Sequence, residues 1–214
     1  NQTTASAILS GLVGSEMCIR DSYKGKYILI AVGRFHFYEG LTVEQVGLPI
    51  QLFKKLGATK VILTNSAGCL QSEWTLGDVM IVNGHYDFTY RDSSKNPELV
   101  NGPNYYCEHL IQKALKIKPD LRIGNYGWVL GPMYETKAEI DNMKKHGVNS
   151  VGMSTVPEIL MAHKLELDVL VLSLMSNYAI GLTNDDLNHQ IVLDNSVKYN
   201  KNFKLLLLSI LSEI

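Results

Sequence analysis

The chain has 214 residues, 46% of them apolar, with a formal net charge of −1 and a pI near 6.7. That length and composition suit one globular domain with a sizeable core, and the near-neutral charge excludes the electrostatic footprint of a nucleic-acid or anionic-membrane binder. No apolar run reaches the roughly 18–20 residues of a membrane span. The three cysteines, Cys18, Cys69 and Cys107, form no CxxC pair, which favours a reducing compartment and argues against structural zinc. No basic start with a long apolar region marks a signal peptide, so a cytoplasmic protein is the expectation.

Residues 1–22 carry the weakest pattern. Ala7 to Leu9 reads as the end of a strand, and Ser10 to Ser15 as a small-residue turn able to approach an anion; a leader foreign to the domain is the other reading. Neither a G-x-G-x-x-G fingerprint nor a G-x-x-x-x-G-K-[ST] loop is present. Tyr27 to Val32 is a compact apolar run, as expected of a strand buried on both faces. It leads into Gly33-Arg34-Phe35-His36-Phe37-Tyr38-Glu39-Gly40. Period-2 alternation there puts Arg34, His36 and Tyr38 on one side. A guanidinium and an imidazole on a shared face make an oxyanion clamp; a solvated edge with a satisfied histidine is the alternative.

Thr42 is expected to cap a helix running to Leu56, with Val43, Val46, Ile50, Phe53 and Leu56 on one stripe and Gly57 as its stop. Lys60 to Leu63 reads as a buried strand ending in Thr64-Asn65-Ser66-Ala67-Gly68, where small residues let backbone N–H groups reach a ligand closely or simply make a tight turn. Val79 to Val82 is a further strand, followed by His85-Tyr86-Asp87. A loop rich in Ser, Asn and Pro runs from Arg91 to Pro103, and a helix from Tyr105 to Ile117 is closed by Pro119.

The stretch from Gly131 to Glu158 holds the densest chemistry. A strand from Tyr126 to Leu130, a turn at Gly131-Pro132, a helix opening near Thr136 and a strand from Ser150 to Met153 place Tyr134-Glu135 and Met153-Ser154 just past strand ends. Ligands collect there in an α/β sheet. An aromatic ring beside a carboxylate suits a flat heterocycle bearing N–H groups; a loop tyrosine and a solvated glutamate are the plainer reading. Val156 to Leu165 is a helix with Pro157 in its tolerant first turn, and Glu158 reads as a dipole-favoured surface carboxylate. Val169 to Leu174 is strongly strand-like and ends at Ser176-Asn177, whose amide offers both a donor and an acceptor. Asn188 is expected to cap a closing helix with Ile191, Val192, Phe203, Leu206, Leu207, Ile210 and Leu211 packed inward. His189 sits in its first turn, either pointing back to the sheet ends or exposed. Strands alternating with helices imply a three-layer α/β sandwich with a mostly parallel central sheet flanked by helices.

With these residues laid out, the chain resembles the purine nucleoside phosphorylases of the trimeric class. The matching pieces are GRFHFYEG (33–40), TNSAG (64–68), GPMYETKAEI (131–140), VGMSTVPE (151–158), SLMSNYAIG (173–181) and LNHQIVL (187–193). The resemblance implies reversible phosphorolysis of inosine- or guanosine-type nucleosides to a free purine and ribose 1-phosphate, in purine salvage, by a cytoplasmic homotrimer. It implies no cofactor and no metal, with inorganic phosphate as co-substrate and neither nucleic acid nor membrane as partner. By position, Arg34, His36 and Ser154 would hold phosphate with the Ser66 backbone nearby. Tyr38 and Met153 would contact ribose and His189 its 5′-hydroxyl. Tyr134 would pack on the base, whose edge Glu135 and Asn177 would bind. Asn177, Glu135 and His36 would carry the catalysis.

The sequence departs from that family in places. The Gly-Ser-Gly-type phosphate loop has only a poor echo between Ile8 and Leu12, and the segment Arg91 to Tyr106 lacks a clear match to the stretch that donates an aromatic to a neighbouring subunit. Cys69 stands where Gly is usual, and Ser66 where Ala is common. The expected division is an atypical or mis-assigned segment over 1–22 and a nucleoside phosphorylase-like domain over 23–214. The competing readings are a non-catalytic purine-binding remnant and a xanthosine- or methylthioadenosine-preferring phosphorylase; Tyr178-Ala179, rather than an Asp, follow Asn177, which disfavours an adenine reader. A serine hydrolase is excluded, because the fifth position of a G-x-S-x-G elbow at Gly152 is Val156.

Overall fold

In a computed structural model that describes residues 5–10, 17–91, 96–182 and 189–214, a nine-stranded sheet forms the centre of the molecule. Its strands are β1 (Ala5–Ser10), β2 (Met17–Tyr23), β3 (Lys26–Val32), β4 (Ala58–Cys69), β5 (Val79–Asp87), β6 (Val100–Asn101), β7 (Arg122–Trp128), β8 (Val148–Gly152) and β9 (Asp168–Tyr178). The helices are α1 (Val43–Val46), α2 (Leu48–Lys55), α3 (Glu108–Ile117), α4 (Lys137–Lys145), α5 (Val156–Lys164) and α6 (His189–Glu213). The small-residue turn expected between Ser10 and Ser15 and the Asn188 cap fall outside the described residues.

The pairings β1–β3, β1–β4, β4–β9, β5–β7 and β7–β8 are parallel, as the alternation of strands and helices implies. Antiparallel pairings appear at the β2 edge, at β6, and where β5 meets β9 and β4 meets β8. Because β4 and β5 each have partners on two sides, β4, β8, β7, β5 and β9 close into a ring. Ring closure curls the sheet and brings the ends of β4, β8 and β9 together. That convergence positions the site.

The stretch Thr64 to Gly68, for which a tight turn is one reading, turns out to be strand. Thr64 to Gly68 continue β4 as far as Cys69 because residues 64–67 pair in parallel with residues 172–175 of β9 and, past a one-residue register shift, Gly68 pairs with Asn177. Ser176-Asn177 lie within β9, which runs on to Tyr178. Ladder hydrogen bonds satisfy the backbone whatever the side chains, so small and polar residues extend a strand when a partner is present. In the same way His85 to Asp87 belong to β5. The β2 strand, unread in the sequence, pairs along β3, and Tyr27 and Val32 at the ends of β3 stay exposed rather than buried.

The helix expected from Thr42 to Leu56 breaks at Gly47. Thr42 does cap its start, accepting from the Gln45 N–H at 3.2 Å while the Gln45 side chain accepts from the Thr42 N–H at 2.8 Å. Pro49, however, has no N–H to continue the ladder, and the corner presses on α5: a Cβ at Gly47 would stand 2.7 Å from Met161 Cβ. Past the break, Ile50 and Phe53 are fully buried while Leu56 faces solvent.

The main core lies between the sheet and α2, α3, α5 and α6, with Phe53, Ile62, Leu110, Ile159, Leu172 and Ile210 at its centre. A second, smaller core beneath α4 gathers Tyr86, Phe88, Ile140, Met143 and Val151. Within the structure His85 is a satisfied core histidine: its Nδ1 is 2.6 Å from the Tyr106 hydroxyl, and burial lowers its pKa to about 4, so the ring is neutral at physiological pH. Among the described residues no helix is long and apolar enough to cross a membrane.

Candidate active site

Arg34 follows the end of β3, where Gly33 takes a φ of 111° that favours glycine. The strand alternation expected over 33–40 does not persist, since Phe37–Glu39 is a 3₁₀ turn. Arg34 therefore turns inward, its side chain 1% exposed. Its Nε donates to Glu158 Oε1 at 2.5 Å, and its Nη1 donates to the Thr64 carbonyl at 3.0 Å and to Ser154 Oγ at 3.4 Å. Glu158 is thus no surface carboxylate. It occupies the first turn of α5 and is 1% exposed; the buried guanidinium supplies the partner that makes burial of its charge tolerable.

His36 goes its own way. Its ring stacks on Tyr38 with centroids 4.8 Å apart, and its Nδ1 lies 3.0 Å from Glu39 Oε1, which also accepts from the His36 N–H. An ionised carboxylate accepts only, so Nδ1 carries a proton and Nε2 is the nitrogen left for a ligand.

Ser154 lies between β8 and α5. Its N–H donates to the Tyr126 hydroxyl at 3.5 Å, and its Oγ is 3.1 Å from Thr155 Oγ1. Thr155 precedes α5 with a φ of 76°, an outlying conformation for a β-branched residue. Its side chain does not cap the helix; it accepts from Asn65 Nδ2 at 2.9 Å instead. Ser66 follows Asn65 in β4, so TNSAG enters the cluster as a strand rather than as a loop.

On the other flank, Asn177 stands near the end of β9, buried and in register with Gly68. Its Oδ1 accepts from Ser176 Oγ at 3.0 Å and its Nδ2 donates to the Tyr178 carbonyl at 3.1 Å. A Cβ at Gly68 would stand 3.3 Å from Asn177 Nδ2 and 3.2 Å from Val151 Cγ1, so the missing side chain leaves room beside the amide. Glu135 is buried, and burial raises the pKa of its carboxyl, helped by the charge of Glu139. Tyr134 is half-buried; burial is the main cause of its raised pKa, with the Glu135 and Tyr38 charges adding to it.

Gly131 joins the two flanks. A Cβ there would stand 2.6 Å from Met153 Sδ and 2.8 Å from Tyr38 Cδ1, so the 131–136 loop packs on both expected ribose contacts. An open cavity of about 410 Å³ lies beside Tyr134 and Glu135 and is lined also by Phe88, Tyr90, Met133 and Met143. That volume suits a small organic ligand. Asn177 and the Arg34–Ser154 cluster do not line it, so the cavity belongs to the Tyr134–Glu135 flank alone.

The structure thus brings Arg34, Ser154 and Thr64–Asn65 together, and separately joins Tyr38, Met153 and the Tyr134–Glu135 loop through Gly131. His189 opens α6, and its side chain lies outside the described ones. Glu158, Thr155, Tyr126, Phe88 and Tyr90 were missed in the sequence. Only Phe88 and Tyr90 left a local signal, an aromatic pair past a strand. Among the described residues no group of three or more His, Cys, Asp or Glu is placed to hold a metal ion.

The family model for the phosphorylase superfamily matches residues 15–212. The chain is 36% identical to purine nucleoside phosphorylase 1 of Bacillus subtilis (strain 168) over 207 residues, covering 89% of this chain and 74% of that protein. It is 36% identical over 166 residues to the purine nucleoside phosphorylase of Mycobacterium tuberculosis, covering 78% and 62%. Its backbone follows isoform 2 of the Schistosoma mansoni purine nucleoside phosphorylase, solved in complex with cytosine and ribose-1-phosphate, with a TM-score of 0.83 at 27% identity, covering 97% of this chain and 89% of that one. A Schistosoma purine nucleoside phosphorylase solved with guanosine gives a TM-score of 0.86 at 24% identity, covering 99% and 91%. A curled sheet whose strand ends gather these residues, together with a match over nearly the whole chain, has one reading: the chain belongs to the phosphorylase superfamily, among its purine nucleoside phosphorylases.

Proposed function

We infer that this protein catalyses the reversible phosphorolysis of inosine- and guanosine-type nucleosides, releasing the purine base and ribose 1-phosphate. In that reaction phosphate attacks C1′ as the N9–C1′ bond breaks, so the sugar gains cationic and the base anionic character. Phosphate is itself the nucleophile. The protein then has to position two reactants and stabilise separating charge, with no covalent step of its own.

The observation that carries this reading is the buried Arg34–Ser154 cluster, with a buried carboxylate, Glu135, past the end of β7 and a buried carboxamide, Asn177, near the end of β9 as separate groups. In this assignment Arg34, Ser154 and His36 Nε2 hold phosphate beside the Ser66 backbone. Tyr38, Met153 and His189 hold the ribose, and Tyr134 packs on the base. Asn177 Nδ2 donates to N7 as charge builds there. Glu135, as a carboxylate, accepts from N1–H and a 2-amino group, which favours 6-oxopurines over adenine, whose N1 is an acceptor. Inorganic phosphate is the co-substrate and no cofactor takes part. The same reading makes the protein a cytoplasmic homotrimer in purine salvage, with 23–214 as the phosphorylase-like domain and 1–22 as the segment that departs from the family pattern.

One observation favours a second reading, a purine-binding protein without turnover: Glu158 already neutralises the Arg34 charge. Hypoxanthine release from inosine, measured with and without inorganic phosphate, separates the two. Release that requires phosphate is expected. No release in either condition, with hypoxanthine still bound, would establish the binding protein.

Protonation of Glu135 supplies a further prediction. Burial raises its pKa above the ordinary 4.5, so the free protein loses the carboxylate as pH falls through that raised value. Hypoxanthine binding accordingly tightens as pH rises from 4.5 through the raised pKa and then levels off. In Glu135→Gln that limb of the calorimetric pH profile should vanish; its persistence would assign the titration to another group.

A further inference from the structure

We propose that Glu158 is a positioning residue for the phosphate site, holding the Arg34 guanidinium so that its Nη1 edge faces Ser154. The proposal rests on the assignment of Arg34 and Ser154 to phosphate. Arg34 and Glu158 lie 124 positions apart in the chain and meet with side chains 1% and 2% exposed. A guanidinium is planar, so a 2.5 Å contact at Nε sets the direction of its remaining N–H groups. Here that contact turns Nη1 toward the Thr64 carbonyl and Ser154 Oγ.

Glu158 also stands on the segment that carries Ser154, four residues further on and in the first turn of α5. Its bond to Arg34 therefore ties the end of β3 to the Ser154–Thr155 corner and registers two anion-binding groups against each other. The pair is not a closed fork. Arg34 Nη2 and Glu158 Oε2 are both buried and have no hydrogen-bond partner among the described residues. A buried pair that leaves two polar atoms unmatched is a poor source of stability. Its geometry explains it better: one rung suffices to aim the arginine.

The experiment measures radiolabelled phosphate binding by equilibrium dialysis, independent of turnover, beside hypoxanthine binding and the KM values for phosphate and inosine. Glu158→Gln should weaken phosphate binding and raise the phosphate KM about tenfold, the scale of one lost charge-assisted contact. Hypoxanthine affinity and the inosine KM should stay within about twofold, inside the range of a site left untouched. Glu158→Asp keeps the charge on a shorter stem and should fall between the two, and it carries the test should the Gln variant fail to fold. In an Arg34→Gln background, Glu158→Gln should weaken phosphate binding no further, because there is no guanidinium left to aim.

Unchanged phosphate binding in a folded Glu158 variant overturns the proposal, as does an equal loss of phosphate and hypoxanthine affinity, which marks a general structural role. A parent protein that binds phosphate but releases no hypoxanthine defeats the assigned reaction and leaves the role of Glu158 to the dialysis result. A parent that binds no phosphate overturns both.

Discussion

Asn177→Ala should lower the rate of phosphate-dependent hypoxanthine release by about 10²–10³-fold, the usual cost of removing one donor aimed at developing charge. The loss belongs in kcat more than in the KM for inosine, because N7 becomes a strong acceptor only as the glycosidic bond opens. In the structure the amide is held in place. Ser176 Oγ fixes its oxygen at 3.0 Å, the Tyr178 carbonyl holds its nitrogen at 3.1 Å, and Gly68 leaves space beside it. An Asn177→Asp variant keeps the shape but replaces the donor with an acceptor and should be at least as impaired. Steady-state assays of both variants decide the matter: an alanine variant within a few-fold of the parent would remove Asn177 from the catalytic assignment.

Arg34→Met should be the most destabilising single change in the site. It leaves the Glu158 carboxylate, 2% exposed, without its cation. Breaking a buried pair on one side costs roughly 3–5 kcal/mol, whereas replacing both partners by apolar groups is far milder. For a chain of this size that loss lowers Tm by about 10 °C. The double variant Arg34→Met with Glu158→Leu should recover most of it. Neither variant should bind phosphate, so calorimetric Tm and phosphate binding move apart in the double variant. A Tm for Arg34→Met equal to that of the parent would show that Glu158 is relieved by another group.

Much of the fold was legible in the chain. Apolar runs located β3, β8 and β9 to within a few residues, together with the starts of β4 and β5 and the second half of β7, and Thr42 and Thr136 marked true helix starts, each closed by a capping box in the structure. The boundaries that failed share one cause. Thr64 to Gly68 look like a turn in isolation and become strand because β9 supplies the partner, residues 64–67 pairing with 172–175 and Gly68 with Asn177. Gly47 breaks a continuous helical stripe because Met161, from an element far along the chain, occupies the space a side chain would need.

The residue types that make a purine and phosphate reading possible were decided by the sequence: an arginine and a histidine after a strand, an aromatic beside a carboxylate after a glycine turn, an asparagine where a strand closes. Those features are local, so spacing and composition display them. Burial and partnership were decided by the tertiary structure. Glu158 reads locally as a dipole-favoured surface carboxylate, and only the fold sets it against Arg34, 124 positions away. Thr155 is held at positive φ, with its hydroxyl directed to Asn65 and away from α5. Long-range contacts leave no periodic trace in the chain, so the groups that aim the site came into view only when the sheet curled and its strand ends met.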